Sequence, residues 1–270
     1  MKALKTVAAA VPLLAAFLPA ISVAQTSSDW KYEASLYMFL SDIGGRVTFP
    51  ATGASSDVSV GIDEILDAMK MGFMGSFEAR RGRWGVFTDV AYMDVGNDQE
   101  NSKALSIGQQ EIPADVNVRL SLDLKLWAVT LLGTYALVAD PDFKLDAMAG
   151  TRLLDVRPSV DYSLTGNLGS IALPDHSGRR EVKEQNWDIL VGLKGRASFG
   201  SDGAWFVPYY VDLGTGESRL TYQLSAGVGY TFGWGDVVAS WRYLDYRFKA
   251  GKPIEELNFN GPQLAAVFRW

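Results

Sequence analysis

The sequence predicts an all-β fold, a transmembrane antiparallel up-and-down β-barrel of about ten strands with a short helix in the first extracellular loop. Three observations predict this fold class: side chains alternate with period two over many segments, short and long links alternate between those segments, and the chain ends in an alternating strand with a C-terminal aromatic residue. Eight or twelve strands remain alternatives, because a hairpin near residue 50 and two unusually long segments blur the count.

The composition sets the outer bounds of this prediction. The chain has 270 residues, of which 48% are hydrophobic and 12% aromatic, enough for one sizeable domain. The absence of cysteine excludes a disulfide scaffold, thiolate metal sites and a cysteine nucleophile. The formal net charge of −6, without a basic stripe, argues against nucleic acid as a partner.

The N-terminus has the pattern of a cleavable signal peptide. Two lysines precede an apolar run over residues 7–18, and a small-residue site ends at Ala24. We therefore expect a signal peptide over 1–24 and a barrel domain over 25–270. A single transmembrane anchor is the alternative, but two prolines interrupt the apolar run, which is short for a helical span. The rest of the chain has no run of about 18 apolar residues, which excludes a helical membrane protein there.

The clearest alternation runs from Leu220 to Phe232. One face of this segment is apolar with aromatic side chains near its ends, whereas the other face is small and neutral. In a water-soluble sandwich the second face would usually carry lysine or glutamate. In a membrane barrel the apolar face meets lipid, the polar face lines the lumen, and aromatic residues mark the lipid interfaces. The segment therefore predicts a transmembrane strand.

Ten segments share this pattern, and the links between them sort by length. Those after the second, fourth, sixth and eighth segments are short, whereas most of the others are long. Bacterial outer-membrane barrels have this alternation of short and long links, and soluble sandwiches do not. The ten segments are 30–40, 71–81, 84–95, 117–137, 144–157, 186–199, 204–213, 218–232, 235–248 and 258–270.

The last residues of the chain give an independent indication. Leu264, Ala266, Phe268 and Trp270 share one face of the final segment. A strand that ends in this way resembles the C-terminal signal by which outer-membrane barrels are recognised for assembly. We therefore expect Phe268 and Trp270 to engage the barrel-assembly machinery. The alternative is an edge strand that happens to end in tryptophan, and it fits the signal peptide and the link lengths less well.

Several stretches also resemble a family of largely uncharacterised proteobacterial outer-membrane β-barrel proteins. They are residues 30–44, IDEIL over 62–66, GSFEARRGRWGVFTD over 75–89, GTRLLD over 150–155 and WRYLDY over 241–246. The resemblance covers most of the chain after the signal peptide. It implies the barrel architecture and a location in the cell outer membrane, and it transfers no catalytic residues.

The lumen of the predicted barrel is where a function of the barrel body would reside. Ionisable residues of both signs point inward by strand parity, into a space that side chains can nearly fill. We favour a structural network of salt bridges, because an unpaired charge in such a space is costly. A narrow polar path for small solutes, as in a porin-like channel, is the alternative. The inward-pointing residues are Lys31, Glu33, Glu78, Arg80, Asp89, Arg119, Asp123, Lys125, Asp146, Arg152, Asp188, Lys194, Arg196 and Arg242.

The first long loop contains a short amphipathic pattern over 61–71. Apolar Ile62, Ile65, Leu66 and Met69 recur at helical intervals, with acidic residues near the helix start. The pattern predicts a short helix. The helix could lie over or inside the barrel mouth as a plug, or it could pack against neighbouring loops, and we favour the second arrangement.

The sequence gives little support for an enzyme. His176, the single histidine, lies between aspartate and serine in one loop, but sequence adjacency does not produce the converging geometry of a catalytic triad. We therefore expect the protein not to be an enzyme, with no catalytic residues. We also expect no metal, because the chain has a single histidine, and no cofactor, because it has no glycine loop that could cradle a phosphate.

The expected role is structural, or an interaction at the surface of the cell envelope. A narrow channel for small polar solutes is the alternative, and a lipid-modifying barrel enzyme ranks third. Outer-membrane lipids, including lipopolysaccharide, are the expected partners, because Arg179, Arg180 and Lys183 offer cations for lipid phosphates. A solvated charged loop explains these three residues equally well.

Overall fold

The computed structural model describes most of the chain after residue 28. In parts of the strands that border undescribed segments it describes the backbone alone, and the predicted signal peptide over 1–24 lies outside the described residues. The described residues are 29–48, 55–96, 116–168, 171–172, 176–181, 183–200, 203–252 and 254–270.

Strands dominate the described part of the chain. Within it, no helix is long and apolar enough to cross a membrane. In chain order the elements are β1 (Trp30–Phe39), β2 (Asp42–Thr48), β3 (Ser55–Val60), α1 (Ile62–Asp67), β4 (Met69–Arg81), β5 (Trp84–Gly96), β6 (Val116–Ala139), β7 (Phe143–Leu168), β8 (Ile171–Ala172), β9 (His176–Glu181), β10 (Glu184–Phe199), β11 (Trp205–Gly216), β12 (Ser218–Phe232), β13 (Gly235–Phe248) and β14 (Ile254–Arg269).

Ten of these strands close into one antiparallel barrel. The order of hydrogen-bonded neighbours is β1, β4, β5, β6, β7, β10, β11, β12, β13, β14, and β14 pairs back with β1. The closing ladder runs from Glu33 opposite Arg269 to Phe39 opposite Gln263. The prediction of an all-β up-and-down barrel is therefore confirmed, with ten strands rather than eight or twelve.

The two ends of the barrel differ in the length of their connections. At one end, here named the short-turn end, the links are 82–83, 140–142, 200–204 and 233–234, and both chain termini of the barrel lie there. Gly82 has a φ of 59°, which a residue with a side chain rarely adopts, so the β4–β5 turn needs a glycine. At the opposite, long-loop end three connections are much longer, whereas Glu217 alone joins β11 to β12 and the five residues 249–253 join β13 to β14. This matches the predicted alternation.

Two belts of aromatic side chains surround the outward face of the barrel. Near the short-turn end, the ring centroids of Trp84 and Tyr135 are 4.7 Å apart, and toward the long-loop end those of Tyr92 and Trp127 are 4.4 Å apart. Eight residues separate the belts on both β5 and β6. This spacing corresponds to about 26 Å along a strand, or about 20 Å along the axis at the usual strand tilt. Exposed aliphatic side chains such as Leu131 lie between the belts.

Strands β6 and β7 extend far beyond the long-loop belt. Val116 pairs with Gly166, eleven residues beyond Trp127, which amounts to about 36 Å along the strand. Strand β9 pairs with β7 between Ser159 and Leu164. We name the outer sheet the residues of β6 that precede Trp127, the residues of β7 that pair with them, and β9. The predicted segments end at 157 and resume at 186, so residues 158–185 were expected to form a long link; this expectation is wrong, because backbone pairing continues through much of that stretch.

The chain between β1 and β4 folds at the long-loop end. Strand β2 follows β1 along the same edge of β14 and pairs with it there. Strand β3 pairs back onto β2 as the predicted hairpin. In this hairpin Arg46 donates a 2.9 Å hydrogen bond to Asp57, which raises the pKa of the exposed guanidinium. The Asp42 carboxylate accepts a 2.9 Å hydrogen bond from the Ile62 amide and so holds the start of α1. The helix is shorter than the predicted 61–71, because Met69 already pairs with β5.

Candidate functional site

A fully buried ion pair crosses the centre of the lumen. Arg152 on β7 is 1% exposed and donates to both carboxylate oxygens of Asp212 on β11, one at 3.2 Å. Its Nε donates to the Thr130 hydroxyl at 3.0 Å, and Tyr210 donates to Asp212 at 2.6 Å. Every strongly polar atom of the pair therefore has a partner, as a buried ion pair requires.

A second ion pair lies beside the first and shares a partner with it. Arg242 donates to Asp89 at 3.3 Å and to the Tyr37 hydroxyl at 3.1 Å, and Tyr37 donates to Asp89 at 2.9 Å. The Gln223 side-chain oxygen accepts from Arg242 at 2.9 Å and from Arg152 at 3.3 Å. These two pairs form the central ion layer, in which two cations face two carboxylates.

The central ion layer encloses a small polar cavity. Its volume is about 120 Å³, enough for several waters. The residues that line it come from nine of the ten barrel strands and include both arginines, Asp89, and several hydroxyl and amide side chains. Among the lining residues, Ser35 and Ser76 bond to each other across β1 and β4 at 2.6 Å.

A further set of charges, the lower ion layer, lies between the cavity and the short-turn end. Arg80 donates to Glu78 at 2.7 Å and to Asp146, with one of its two contacts at 3.0 Å. Lys194 donates to the other oxygen of Glu78, and its ammonium lies 4.2 Å from the Phe87 ring centroid. Two cations again face two carboxylates, so this layer is also neutral.

The remaining predicted lumen residues lie near the two ends. Asp188 is buried toward the long-loop end, where it accepts from the Asn186 side chain at 2.8 Å and from the Ser218 amide at 2.8 Å. At the short-turn end Glu33 accepts from Arg269 at 2.7 Å. Arg196 also lies there and donates to Asp236 at 3.3 Å.

Two predicted lumen residues do not fit, and the side chain of a third lies outside the described residues. Asp123 and Lys125 share the strand parity of exposed Trp127, while Leu126 is buried inside, so the prediction that these two charges line the lumen is wrong. Beyond the belt the polarity of β6 inverts, because water rather than lipid faces its outer side. Asp123 pairs with Lys70 and Lys125 with Asp94, at 3.1 and 3.4 Å. For Arg119 the structure describes only the backbone.

An apolar cluster, the mouth cluster, occupies the lumen toward the long-loop end. Ile65 of α1 belongs to it and is 2% exposed, whereas Leu66 faces outward and Ile62 and Met69 are partly buried. The helix thus contributes one side chain to a cluster formed mainly by inward-facing barrel residues. The buried members are Ile43, Ile65, Met93, Leu126, Ala128, Leu154, Val156, Leu244, Tyr246, Phe248 and Phe259.

The C-terminal aromatic residues lie on the outward face at the short-turn end. Trp270 exchanges backbone hydrogen bonds with Tyr32 at 2.9 and 3.1 Å, and the ring centroids of these residues are 5.9 Å apart. The Phe268 ring lies 5.4 Å from that of Trp234. Both residues predicted to form the assembly signal therefore belong to the short-turn belt.

Several partners in the lumen were missed in the sequence analysis. Asp212, Asp236 and Arg269 each share the parity of inward-facing residues on their strands, so the parity rule itself could have found them. Tyr37 and Gln223 carry no formal charge, and the count of ionisable side chains did not include them. Within the described residues no three histidine, aspartate or glutamate side chains are grouped to hold a metal ion.

Comparisons with known proteins give likenesses of fold at low identity. No family model and no curated protein sequence matches the chain. Its structure resembles the outer membrane protease OmpT from Escherichia coli, with 11% identity, 92% of this chain and 98% of that chain covered, and a TM-score of 0.44. It also resembles Ail, the attachment invasion locus protein of Yersinia pestis, in complex with the heparin analogue sucrose octasulfate, with 11% identity, coverages of 90% and 99%, and a TM-score of 0.37. A third is the translocator domain of autotransporter NalP from Neisseria meningitidis, with 13% identity, coverages of 89% and 88%, and a TM-score of 0.39.

These likenesses correct one expectation. The prediction that the chain is not an enzyme is overturned, because a protease is among the barrels that it resembles, so the architecture does not exclude catalysis. With 11% identity the likeness assigns no activity to this chain. The finer resemblance to an uncharacterised proteobacterial family stays a prediction, since no family model matches.

Proposed function

We propose that this chain is exported by its signal peptide and forms an outer-membrane β-barrel of a Gram-negative cell, with a structural or surface-interaction role in the envelope. The spacing of the aromatic belts supports a membrane location, because about 20 Å along the axis suits a thin outer membrane. The exposed aliphatic side chains between the belts support it further, since such a surface in water would aggregate.

The observation that carries the structural role is the filling of the lumen. The central and lower ion layers each balance two cations with two carboxylates, and buried Leu132, Met148 and Leu190 form an apolar cluster on the inner face of β6, β7 and β10. On the long-loop side of the cavity, the mouth cluster places fully buried Tyr246 and Leu154 in the lumen. Side chains in these arrangements lock strands to one another, which favours a rigid wall over a conducting pore.

The long-loop end supports the surface interaction. The outer sheet carries β6 and β7 about 36 Å along the strands past the belt, further than spanning the membrane requires. Just beyond Trp127, exposed Lys125 and Arg157 lie at the level expected for lipid headgroups. Arg157 pairs with Asp155 at 2.7 Å. We propose lipopolysaccharide phosphates as partners of these cations, and the assembly machinery as the partner of the C-terminal strand.

A narrow channel for small polar solutes is the second candidate. The central cavity favours it, because water-sized space already lies halfway along the lumen. In this alternative α1 and the mouth cluster act as the plug that closes the cavity toward the long-loop end. The burial of Ile65 supports this plug arrangement.

Single-channel conductance in a planar bilayer separates the two candidates. We expect the folded barrel to be silent, because the ion layers and the mouth cluster fill the lumen. A variant in which a glycine-serine linker replaces residues 61–71 is also measured, with folding verified by heat-modifiable migration in a gel. If this variant conducts while the intact protein does not, α1 is a plug and the channel function is favoured.

Point variants make the same test without a large deletion. Ile65→Asp places a charge in the mouth cluster, whereas Leu66→Asp places the same charge on the exposed side of α1. Conductance that appears only with Ile65→Asp assigns the block to the cluster. Discrete, stable openings of the unmodified protein would contradict the structural role.

A further inference from the structure

Six charged side chains meet at the short-turn end of the lumen. Lys31 and Glu33 come from the start of β1, Lys144 from the start of β7, and Arg196, Asp236 and Arg269 from β10, β13 and β14. All six share the inward parity of their strands. We name this group the short-turn rim. Four cations and two carboxylates give it a net charge of +2, unlike the two neutral ion layers.

The two carboxylates of the rim are both engaged by arginines. Asp236 is fully buried and accepts from Arg196 at 3.3 Å and from Arg269. Glu33 accepts from Arg269 at 2.7 Å. Neither carboxylate bonds a lysine.

The two lysines of the rim have no ion-pair or hydrogen-bond partner among the described residues. Lys144 lies directly opposite Arg196 in the β7–β10 ladder, and Lys31 lies directly opposite Arg80 in the β1–β4 ladder. Like charges at such positions repel each other and destabilise a sheet. Glu78 and Asp146 pair with Arg80 rather than with Lys31, so they do not form an ion pair with this lysine.

The cations of the rim converge rather than spread around it. Lys144 is within electrostatic range of Arg196, Arg269 and Lys31, and of the Glu33 carboxylate, although these residues lie on other strands. The Arg196 guanidinium lies 4.0 Å from the Phe206 ring centroid, a contact that restricts its movement. Its Nε is buried and has no hydrogen-bond partner. Both lysine side chains reach solvent, so their ammonium donors are accessible from the short-turn end.

We propose that the short-turn rim binds a small dianion, a phosphate monoester or a dicarboxylate, through Lys31, Lys144 and Arg196. A dianion cancels the charge of +2 and relieves both like-charge pairs. The Nζ groups of the two lysines supply charge-assisted hydrogen bonds to its oxygens, and the Arg196 guanidinium, whose side chain is 18% exposed, adds its positive charge. The site is independent of whether the lumen conducts, because it lies outside both ion layers. With the orientation of the proposed function it opens toward the periplasm.

Isothermal titration calorimetry of the folded protein in zwitterionic detergent tests the site, with inorganic phosphate and with succinate as separate probes at low ionic strength. Binding of both probes shows recognition of dianionic charge, and binding of one alone identifies the phosphate or the dicarboxylate class. Added sodium chloride weakens binding, because the rim is open to solvent. Failure of both probes to bind overturns the proposal.

Substitutions locate the binding within the protein. Lys144→Gln and Lys31→Gln each weaken binding about tenfold, the loss expected for one charge-assisted contact. Arg46→Gln removes the same charge at the opposite end of the barrel, where Arg46 is exposed and pairs with Asp57, and leaves binding unchanged. Equal weakening by Arg46→Gln, or unchanged binding in both rim variants, overturns the proposal.

Discussion

Replacement of Arg152 by methionine is expected to destabilise the barrel by about 3–5 kcal/mol, because it leaves the Asp212 carboxylate buried without its cation. Arg152 is 1% exposed and links β7 to β6, β11 and β12 through Thr130, Asp212 and Gln223. The free energy of unfolding is measured by urea titration of the protein in lipid vesicles, with tryptophan fluorescence as the signal.

Two control variants show whether this loss comes from the buried charge. The double variant Arg152→Met and Asp212→Leu removes both charges and is expected to recover much of the stability, since apolar side chains can replace a buried ion pair. Arg46→Met breaks the exposed pair with Asp57 outside the barrel wall and is expected to cause no measurable loss. A loss with Arg152→Met no larger than with Arg46→Met would contradict the description of the central ion layer.

Replacement of Leu131 by arginine is expected to cost about 2–4 kcal/mol in a bilayer. Leu131 is exposed on the outward face of β6, four residues from Trp127 in one belt and four from Tyr135 in the other. It therefore lies at the level of the bilayer midplane, where a charge is most costly. The same vesicle titration measures the effect.

Leu137→Arg is the matched control on the same strand and the same face. Leu137 is also exposed, but it lies two residues beyond Tyr135, at the lipid interface. A charge there costs about 0–1 kcal/mol. Equal effects of the two substitutions would show that the outward face of β6 does not experience a gradient of membrane depth.

Periodicity and link length were sufficient to predict the barrel, because both arise from local physics. Alternation along β12 follows from the two environments that one strand separates, and a turn as short as 82–83 can only join adjacent antiparallel strands. The hairpin of β2 and β3 was predicted from the same pattern. Strand ends were less predictable. Strand β14 begins at Ile254 rather than residue 258, because it also pairs with β2 beyond the barrel proper.

The prediction of which β6 side chains face the lumen was wrong over the first half of the strand, and the reason is physical. Polar side chains face the lumen only where the outer face meets lipid. Beyond Trp127 both environments are reversed, since the mouth cluster fills the lumen with apolar side chains such as Leu126 and solvent surrounds Lys125. Alternation alone is the same on both sides of this boundary. Extending the parity of Trp127 and Leu131 through the whole strand would have given the correct direction.

The pairing inside the lumen could not be predicted from the sequence. Parity identified Arg152, Arg242 and Glu78 as inward, but their partners depend on which strands face each other across the closed barrel. Arg242 meets Asp89 across 153 residues of chain, and that distance is set by closure of the whole sheet. The same limit applies to the short-turn rim, whose charge of +2 depends on the convergence of strands from both ends of the sequence.

The outward face between the belts is predicted to lie in lipid, and spin-label accessibility is the direct test of that location. The chain has no cysteine, so labels can be placed singly at Leu224 and Val228 on the outward face of β12, and at Leu66 on α1. In vesicles we predict that labels at Leu224 and Val228 are accessible to oxygen and shielded from a polar nickel reagent, while the label at Leu66 shows the reverse. Accessibility of Leu224 and Val228 to the nickel reagent, in a protein shown to be folded, would contradict the membrane-spanning barrel.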